Sequence, residues 1–348
     1  MTGLGLAEAR ELFSPEPAYL NTASYGLPPR PAFEAFAAAA DEWQHGRTEW
    51  MVWNEQVDVA RGLFARLVNV SPADVSVGSQ VSAFVGLVAV SLSPGDRVVC
   101  AEEDFTSVLF PLLAMESRGV VVDLVPLDAL ADAMTDDVAL VAVSAVQSAD
   151  GRVADLDAIS AAASTAGALT LVDATQACGW LPLDASRFDY VVCATYKWLL
   201  GPRGCALMTV RPAAAERLTP VLAGWFAAES KRASYGGPLR LADGARRFDV
   251  SPAWFSWVGQ APALELLLDV GVDAIHAHDV GLANRFRTGL GLSPGDSAIV
   301  SIAPPAGAAD RLRAAGVAFA DHGDLLRFSF HLYTVTDDVD RALTAIAG

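Results

Sequence analysis

Charged residues are scarce in this sequence. They make up 19% of the 348 residues, whereas hydrophobic residues make up 53%. Intrinsic disorder requires the opposite balance, because a disordered chain has too little apolar surface to bury. The length is sufficient for two domains, or for one large domain with a smaller lobe. The composition therefore indicates a folded globular protein.

Positive charge is also in short supply. Lysine and arginine together number 24, against 41 acidic residues, which gives a formal net charge of −17. A field of that sign repels phosphodiester backbones. We therefore expect no nucleic-acid partner.

The sequence has no hydrophobic run long enough to cross a bilayer. The most apolar stretches, Val81 to Leu92 and Val138 to Val146, are much shorter than the roughly 20 residues of a membrane span. Residues 1–13 include Glu8 and Arg10 and lack the basic start and apolar stretch of a signal peptide. We expect a cytoplasmic protein without a membrane partner.

Cysteine pairs and histidine clusters of the kind that bind metals are missing. The four cysteines stand far apart without a CxxC pair, and we predict that they are buried free thiols: Cys100, Cys178, Cys193 and Cys205. His276 and His278 are two residues apart, which puts them on different sides of a helix. The sequence also has no GxxxxGK[ST] and no GxGxxG after a strand. We therefore predict neither a metal site nor a nucleotide site.

Lysine is nearly absent, and this makes the two lysines informative. They are Lys197 and Lys231, and the other 22 basic residues are arginines. Lys231 lies in the polar stretch ESKRAS, which is typical of a solvated loop. Lys197 directly follows an apolar run, where a desolvated amine can lose its proton and form a Schiff base. A lysine that snorkels from the end of a strand would give the same pattern.

Short β-rich runs alternate with alanine- and leucine-rich stretches from Asp74 onward. Most runs are continuously apolar, which predicts an α/β fold with a mostly parallel sheet covered on both faces. The predicted strands are Val75 to Gly78, Val98 to Ala101, Val120 to Val125, Leu140 to Ser144, Leu169 to Asp173, Tyr190 to Ala194 and Cys205 to Val210. Ligands of such sheets bind beyond the carboxyl ends of the strands. The residues at these ends are Ser79, Glu103, Gln147, Asp173 and Tyr196.

The pattern changes after about Val221, where a glycine-rich stretch precedes a second lobe. We divide the chain into an N-terminal segment (1–20), a large domain (21–245) and a small C-terminal α+β domain (246–348). In the small domain we expect helices near 261–277, 308–315 and 337–347, and strands at 298–302 and 325–330. We also expect Trp43, Trp50 and Trp53 on one face of an early helix, in the core or at a dimer contact.

Asp173 ends one predicted strand, and Lys197 follows the next strand 24 residues later. Two adjacent strands thus present a carboxylate and an amine at one edge of the sheet. Pyridoxal phosphate requires both groups, an amine for the imine and an acid beside the pyridine nitrogen. Gln176 is near enough in sequence to reach the phenolic oxygen of the ring. Asp173 taken alone would be better explained as a helix N-cap, and it is the lysine at the same edge that favours the cofactor interpretation.

The segment VDATQACGWLPLD and the segment FDYVVCATYKWLLGPRGCALMTVR resemble the class V aminotransferase family of fold-type I pyridoxal-phosphate enzymes. The resemblance extends from YLNTASYGLPPR to LLRFSFHLYTVTDDVDRAL. It implies that Lys197 carries the cofactor, that Asp173 pairs with the pyridinium nitrogen and that Gln176 faces the phenolic oxygen. It also places the phosphate cup at VGSQVSAF, with Ser79 and Gln80. The N-terminus of the following helix suits a phosphate dianion for electrostatic reasons.

Some positions depart from the family pattern. Where many relatives have a histidine over the cofactor ring, this chain has AEEDFTSVLFP, so Phe105 is our candidate for stacking. Just before the lysine, where relatives often have serine and histidine as phosphate ligands, this chain has Ala194 and Tyr196, and of these two only Tyr196 offers a hydroxyl. Ser251 is the candidate where relatives reach the partner's phosphate, and Gln147 is a further candidate cofactor contact.

Arg327, in LLRFSFHLY, matches the arginine that binds the substrate carboxylate in the family, and Tyr25 is a second candidate substrate contact. A planar guanidinium suits a carboxylate. The alternative for Arg327 is an ion pair with Asp321 or Asp324 inside the small domain.

No cysteine follows Cys205, which lies in an apparent strand, so persulfide chemistry on a mobile cysteine is disfavoured.

The resemblance to the family also implies a homodimeric enzyme with active sites at the interface, acting on a small amino acid or related metabolite. Transamination is our first prediction. The alternatives are C–S or other β-lyase chemistry, epimerisation and, more remotely, a non-catalytic module that only binds pyridoxal phosphate.

Overall fold

The computed structural model describes residues 3–230 and 235–348. Lys231, expected in a solvated loop, lies outside these ranges. The strands are β1 (Ala18–Tyr19), β2 (Val75–Gly78), β3 (Arg97–Ala101), β4 (Val121–Val125), β5 (Val138–Ser144), β6 (Leu169–Asp173), β7 (Tyr190–Ala194), β8 (Ala206–Val210), β9 (Ile299–Ile302), β10 (Val317–Ala318), β11 (Ala320–Asp321) and β12 (Leu326–Ser329).

The α-helices surround these strands. They are α1 (Leu6–Arg10), α2 (Arg30–Gln44), α3 (Trp50–Leu67), α4 (Val81–Val90), α5 (Thr106–Leu113), α6 (Leu156–Ala166), α7 (Pro212–Ala215), α8 (Trp254–Val270), α9 (Val272–Gly289), α10 (Ala308–Ala314) and α11 (Thr336–Ala347). Short 3₁₀ segments, among them Pro72–Asp74 and Gly244–Phe248, lie in the connections.

Strands β2 to β8 form one sheet in the order β2-β8-β7-β6-β5-β3-β4. Strand β8 runs antiparallel to both of its neighbours, and the other pairs in the sheet are parallel. The expectation of a mostly parallel sheet is confirmed. The predicted limits of its strands agree with the structure to within two residues.

Both faces of this sheet are buried, which explains why the strands are continuously apolar. Leu140 and Ala142 of β5 pack in one core with α4 and α5. Val141 and Val143, which point to the opposite face, pack in another core with Ile159 of α6. Side chains that alternate across β5 thus serve two cores.

The C-terminal lobe contains a three-stranded antiparallel sheet in the order β11-β12-β9. Helices α9, α10 and α11 pack against it around Phe286, Phe328 and Leu312. The N-terminal strand β1 pairs in parallel with β10 of this lobe. The α+β character of the lobe agrees with the sequence, whereas the domain limits at residues 20 and 245 remain a prediction.

Two expectations about helices were wrong. The helix expected near 261–277 is interrupted at Gly271, where α8 ends and α9 begins. The tryptophan series lies on two helices, because α2 ends before Gly46 and Trp50 opens α3. Trp43 and Trp53 share one neighbour, because both rings contact Phe255 of α8 at centroid distances of 5.4 and 5.1 Å.

Two further expectations concern the cysteines and membrane-spanning helices. All four cysteines are buried and unpaired, as the sequence predicted. In the described ranges, the helices are all too short or too polar for a membrane span.

Candidate active site

The candidate site lies at the carboxyl ends of three neighbouring strands. In the sheet register, Ser144 at the end of β5 pairs with Asp173 at the end of β6, and Asp173 pairs with Val192 of β7. Lys197 follows β7 by three residues. The register therefore brings the predicted carboxylate and the predicted amine to one cavity, which Asp173 and Lys197 both line.

Asp173 is a buried carboxylate on the wall of this cavity. Its Oδ1 accepts a hydrogen bond from the backbone N–H of Thr175 at 2.8 Å. Burial raises the pKa of Asp173 to about 6, although the hydrogen bonds from Thr175 and the charge of Lys197 oppose this shift. Among the described residues, no cationic side chain lies within 4 Å of the carboxylate. Asp173 is therefore a buried acid without an ion-pair partner.

Lys197 is also buried, with 6% of its surface exposed. Burial lowers the pKa of the Lys197 amine to about 8, and Arg327 and Arg203 lower it further, while Asp173 opposes the shift. An appreciable fraction of this amine is thus neutral near neutral pH. A neutral amine can act as a nucleophile and as a base.

The backbone around Lys197 is held by close contacts with the N-terminal region. The N–H of Gly26 donates to the carbonyl of Tyr196 at 2.9 Å. A Cβ added at Gly26 would lie 1.9 Å from the carbonyl oxygen of Lys197. Only glycine allows the two backbone segments to approach so closely.

The first turn of α4 forms another wall of the cavity. Gln80 is the N-cap of this ten-residue helix, and Ser79, Gln80 and Ser82 line the cavity. The free N–H groups and the dipole at a helix N-terminus favour a bound anion. Ser79 and Gln80, which we predict to bind the phosphate, therefore line the cavity at a helix N-terminus, and Ser82 adds a hydroxyl that we did not expect.

Phe105 faces the lysine across the cavity. Its ring is 46% exposed, and its centroid lies 5.4 Å from Lys197 Nζ. Buried Asp104 fixes the backbone of Phe105 against the end of β5. Its carboxylate accepts hydrogen bonds from the backbone N–H of Phe105 at 2.6 Å and from that of Ser144 at 2.7 Å. An exposed aromatic ring on a fixed backbone provides a surface on which a planar ring can stack.

Gln147 does not line the cavity. Its amide nitrogen donates to the carbonyl of Ser144 at 3.3 Å and lies 3.5 Å from the carboxylate of Asp104. The next residue, Ser148, lines the cavity instead. Adjacent residues in this loop point in different directions, and the sequence did not indicate which of them faces the site.

The Gln176 side chain lines the cavity, but its amide groups already have protein partners. Nε2 donates to the carbonyl of Ala23 at 3.0 Å and to Oγ of Ser148 at 2.9 Å. Oε1 accepts a hydrogen bond from the indole of Trp198 at 2.7 Å. This network fixes the amide next to the lysine.

Arg327 contributes a buried guanidinium beside the same loop. It donates to Oγ of Ser148 at 2.9 Å and to Oγ of Ser24 at 2.8 Å. Burial lowers the pKa of Arg327 to about 10. The alternative pairing with Asp321 is wrong, because that carboxylate binds Arg313 at 2.5 Å. Asp324 makes no ion pair with Arg327 either, so within the described residues this buried cation has only neutral partners.

Tyr196 and Tyr25 form an aromatic pair at the rim of the cavity, with ring centroids 5.4 Å apart. Tyr196 lines the cavity, whereas Tyr25 does not. The Tyr25 hydroxyl instead accepts a hydrogen bond from the backbone N–H of Arg203 at 3.2 Å. The guanidinium of Arg203 lies 4.9 Å from the centroid of the Tyr196 ring and lines the cavity.

Ser251 lies apart from the cavity in this chain. Its hydroxyl accepts a hydrogen bond from the indole of Trp225 at 3.2 Å.

Several residues that line the cavity were not predicted from the sequence, namely Ser82, Ser107, Ser144, Ser148, Thr175 and Arg203. Two of these residues could have been predicted from their position in the sequence, because Ser82 is in the first turn of the helix after the phosphate cup and Thr175 is two residues from Asp173.

These donor groups fit pyridoxal phosphate. The cavity offers an amine with a lowered pKa at Lys197, a buried carboxylate without a cation at Asp173 and a helix N-terminus with hydroxyls at Ser79. A pyridinium nitrogen would supply the cation that Asp173 lacks. A phosphate would satisfy the free N–H groups of α4.

Comparison with known proteins points to one family. Residues 45–306 match the family model described as Aminotransferase class-V. The chain is 30% identical to an uncharacterized aminotransferase of Bacillus subtilis, YcbU, over 91% of this chain and 90% of that protein. It is 27% identical to isopenicillin N epimerase of Streptomyces clavuligerus, over 98% of both chains.

A solved structure has the same fold. The cystine C–S lyase C-DES, in a structure with glycine covalently linked to its PLP cofactor, superimposes with a TM-score of 0.85 at 21% identity, over 95% of this chain and 96% of that chain. This likeness confirms the prediction of fold-type I.

Proposed function

This chain belongs to the class V aminotransferase family of pyridoxal-phosphate-dependent enzymes, and we propose that it acts on the α-amino group of a small amino acid. The observation that carries this proposal is that buried Lys197 and buried Asp173 line one cavity, and that Arg327 is hydrogen-bonded to Ser148 of the cavity wall. When bound, pyridoxal phosphate supplies a carbonyl that condenses with amines and a ring that withdraws electrons from the substrate's Cα.

Lys197 holds and moves the proton in this proposal. Its pKa of about 8 leaves part of the amine neutral at neutral pH, so Nζ can accept a proton from the substrate's Cα and return it elsewhere. Asp173 would hold the pyridine nitrogen of a bound cofactor through its negative charge. Phe105 would offer its ring face to the cofactor, and the first turn of α4 would bind the phosphate.

Arg327 orients the substrate. A carboxylate is the natural partner for a buried guanidinium that has only neutral acceptors, because an unpaired buried charge is costly. Binding the substrate's α-carboxylate there fixes which bond to Cα lies across the cofactor ring, and this orientation selects the reaction.

Transamination is the reaction that we propose first, in keeping with the 30% identical relative from Bacillus subtilis. The second candidate is β-elimination at a C–S bond. All four cysteines are buried and none lines the cavity, which argues against transfer of sulfur to a protein thiol. A lyase that releases its thiol to solvent needs no such cysteine. Epimerisation is the third alternative.

We also propose that the enzyme is a homodimer. Helices α2 and α3 expose several large apolar side chains to solvent, and exposed apolar surface of this kind is typical of an interface. The exposed side chains are Phe33, Phe36, Trp43, Trp50, Met51 and Val52. In a dimer, Ser251 would be available to the partner's phosphate site. The cytoplasmic location remains a prediction from the N-terminal sequence.

Borohydride reduction followed by peptide mass mapping tests the assignment of the lysine. We expect the cofactor on the peptide that contains Lys197, and we expect no adduct in Lys197→Ala. The matched control is Lys231→Ala, which should keep the adduct and the activity. An adduct on Lys231, or a reducible cofactor in Lys197→Ala, would show that the assignment is wrong.

Exchange of the Cα proton in D₂O, measured by mass spectrometry over a panel of amino acids, tests the reaction itself. Exchange that depends on Lys197 supports the proposal, and its absence for every amino acid contradicts it. The products then separate the candidates. Repeated turnover to an oxoacid that requires an added oxoacid as amino-group acceptor indicates transamination, pyruvate with ammonia indicates β-elimination, and an amino acid of inverted configuration indicates epimerisation.

A further inference from the structure

One guanidinium lines the cavity directly, whereas that of Arg327 lies behind the lining residue Ser148. Arg203 lines the cavity with Lys197 and Tyr196, six residues after the lysine in sequence. In the described part of the chain its side chain makes no ion pair with a carboxylate, and residues 1, 2 and 231–234 contain no acidic residue. Arg203 is therefore a cation at the cavity rim without an anion of its own chain.

The backbone of Arg203 is fixed on both sides. Its N–H donates to the Tyr25 hydroxyl at 3.2 Å, and its carbonyl accepts from Oγ of Ser256 at 2.7 Å. The next residue, Gly204, has φ +111°, and a Cβ there would lie 2.9 Å from the Ser256 hydroxyl oxygen. A side chain at position 204 would thus both strain the backbone and displace Ser256.

The side chain of Arg203 is also positioned. Its guanidinium lies 4.9 Å from the centroid of the Tyr196 ring, a contact that orients the planar group and leaves its N–H donors free. An arginine held on an aromatic face and without a carboxylate is suited to binding a carboxylate or a similar oxyanion in a two-point contact.

We propose that Arg203 binds a second anionic group, at the far end of the substrate's side chain. This inference rests on the proposed function, in which Arg327 binds the α-carboxylate. It narrows the substrate class to amino acids whose side chain ends in a carboxylate or another oxyanion. The overall charge of −17 would otherwise repel such substrates, so the two arginines supply a local attraction.

The test compares amino acids in pairs that differ only in the terminal charge: glutamate with glutamine, aspartate with asparagine, and S-carboxymethylcysteine with its amide. Dissociation constants come from the change in cofactor absorbance on titration of the holoenzyme, so turnover is not needed. We expect the anionic member of at least one pair to bind about tenfold more tightly or better. In Arg203→Gln this preference should fall to less than threefold.

Two variants serve as controls. Arg118→Gln removes the same charge from an exposed arginine outside the cavity and should keep the preference. Arg203→Lys keeps the positive charge but cannot make the two-point contact, so this variant should keep part of the preference for the anionic amino acid. An unchanged preference in Arg203→Gln, or equal binding of both members of every pair by the wild type, would overturn the inference and leave the proposed function intact.

Other outcomes also decide the matter. If Arg203→Gln weakens cofactor binding without changing the preference, Arg203 contacts the cofactor and the inference fails. If it changes the oligomeric state in sedimentation instead, Arg203 pairs with a second copy of the chain and the inference fails. If no amino acid changes the absorbance, the proposed function fails. Calorimetry with succinate and succinamate then tests Arg203, and succinate binding that Arg203→Gln does not weaken overturns the inference.

Discussion

The imidazole of His331 donates a hydrogen bond through Nε2 to the backbone carbonyl of Trp198, at 3.1 Å. A carbonyl can only accept, so this nitrogen carries a proton. The other ring nitrogen lies 2.8 Å from Oδ2 of Asp279, and both side chains are fully buried. The residue after the candidate catalytic lysine is thus tied to α9 and to the loop after β12.

This buried pair leads to a prediction about stability. His331→Ala leaves the Asp279 carboxylate buried without a partner, and we expect it to lower the free energy of unfolding by about 3–5 kcal/mol. The double variant His331→Ala/Asp279→Ala should lose less than the sum of the single losses. Urea unfolding of the four proteins measures the coupling. Additive losses would show that the two groups do not interact.

The pKa of Lys197 leads to a prediction about cofactor attachment. A neutral amine is required, so attachment to the apoprotein should increase with pH, with a midpoint of about 8. Asp173 favours the protonated amine, and Asp173→Asn should therefore move the midpoint to lower pH. Stopped-flow absorbance between pH 6 and pH 9 measures both curves. A midpoint near the ordinary lysine value of 10.5 in the wild type would contradict the burial argument.

Asp173 should reduce the stability of the apoprotein. Its pKa rises from 3.8 to about 6 on folding, so the folded state disfavours the ionised carboxylate, and this cost is fully present above pH 6. The cost disappears as the pH falls below 3.8, where the group is protonated in both states. Asp173→Asn apoprotein should thus be more stable than the wild type at pH 8 by about 2–3 kcal/mol.

Thermal unfolding at pH 8 and pH 4.5 checks this prediction for Asp173. The difference between the two apoproteins should be smaller at the lower pH. In the holoenzymes the order at pH 8 should reverse, because the variant binds the cofactor less tightly. A wild-type apoprotein that is the more stable of the two at pH 8 would refute the prediction.

Arg327→Lys separates substrate binding from structure. An ammonium cannot reproduce the two-point contact with a carboxylate, so we expect KM to rise at least tenfold with little change in cofactor content. The lost hydrogen bonds to Ser24 and Ser148 should cost about 1 kcal/mol of stability. Ser24→Ala is the matched control, because it removes one of these bonds and keeps the guanidinium. An unchanged KM for every carboxylate substrate would remove Arg327 from the site.

The cysteines should matter for stability and not for catalysis. Cys205→Ala and Cys178→Ala remove small buried groups and should each cost about 1 kcal/mol. Cofactor content and kcat should stay close to wild type, since no cysteine lines the cavity. Chemical denaturation and steady-state kinetics on the same preparations measure both effects. A folded Cys205→Ala enzyme with full cofactor content and no activity would contradict this expectation.

The sequence by itself was sufficient to predict the central sheet and the proximity of the Lys197 amine to the Asp173 carboxylate. The strands are buried on both faces, and continuous apolar runs therefore mark them with limits that agree to within two residues. Asp173 and Lys197 follow two successive runs of this kind. Because parallel neighbouring strands end at one edge, their proximity follows from their place in the sequence.

Tertiary structure decided which polar side chains face the cavity. Gln147 and Ser148 are adjacent, yet Asp104, more than 40 residues away, binds the first and leaves the second at the site. Gln176 has its amide held by Ala23, Ser148 and Trp198, which no local pattern specifies. Such orientations depend on contacts between residues distant in sequence, and only the folded chain brings those residues together.

The position of Arg203 was likewise decided by the fold. In sequence it is one of 22 arginines, with nothing local to distinguish it. In the structure its position depends on Tyr25, Ser256 and the ring of Tyr196, which come from three separate parts of the chain. Sequence pattern thus determined the strands and the residues that end them. Long-range packing determined which arginine side chains have no carboxylate partner, because the fold decides which carboxylates lie close to each arginine.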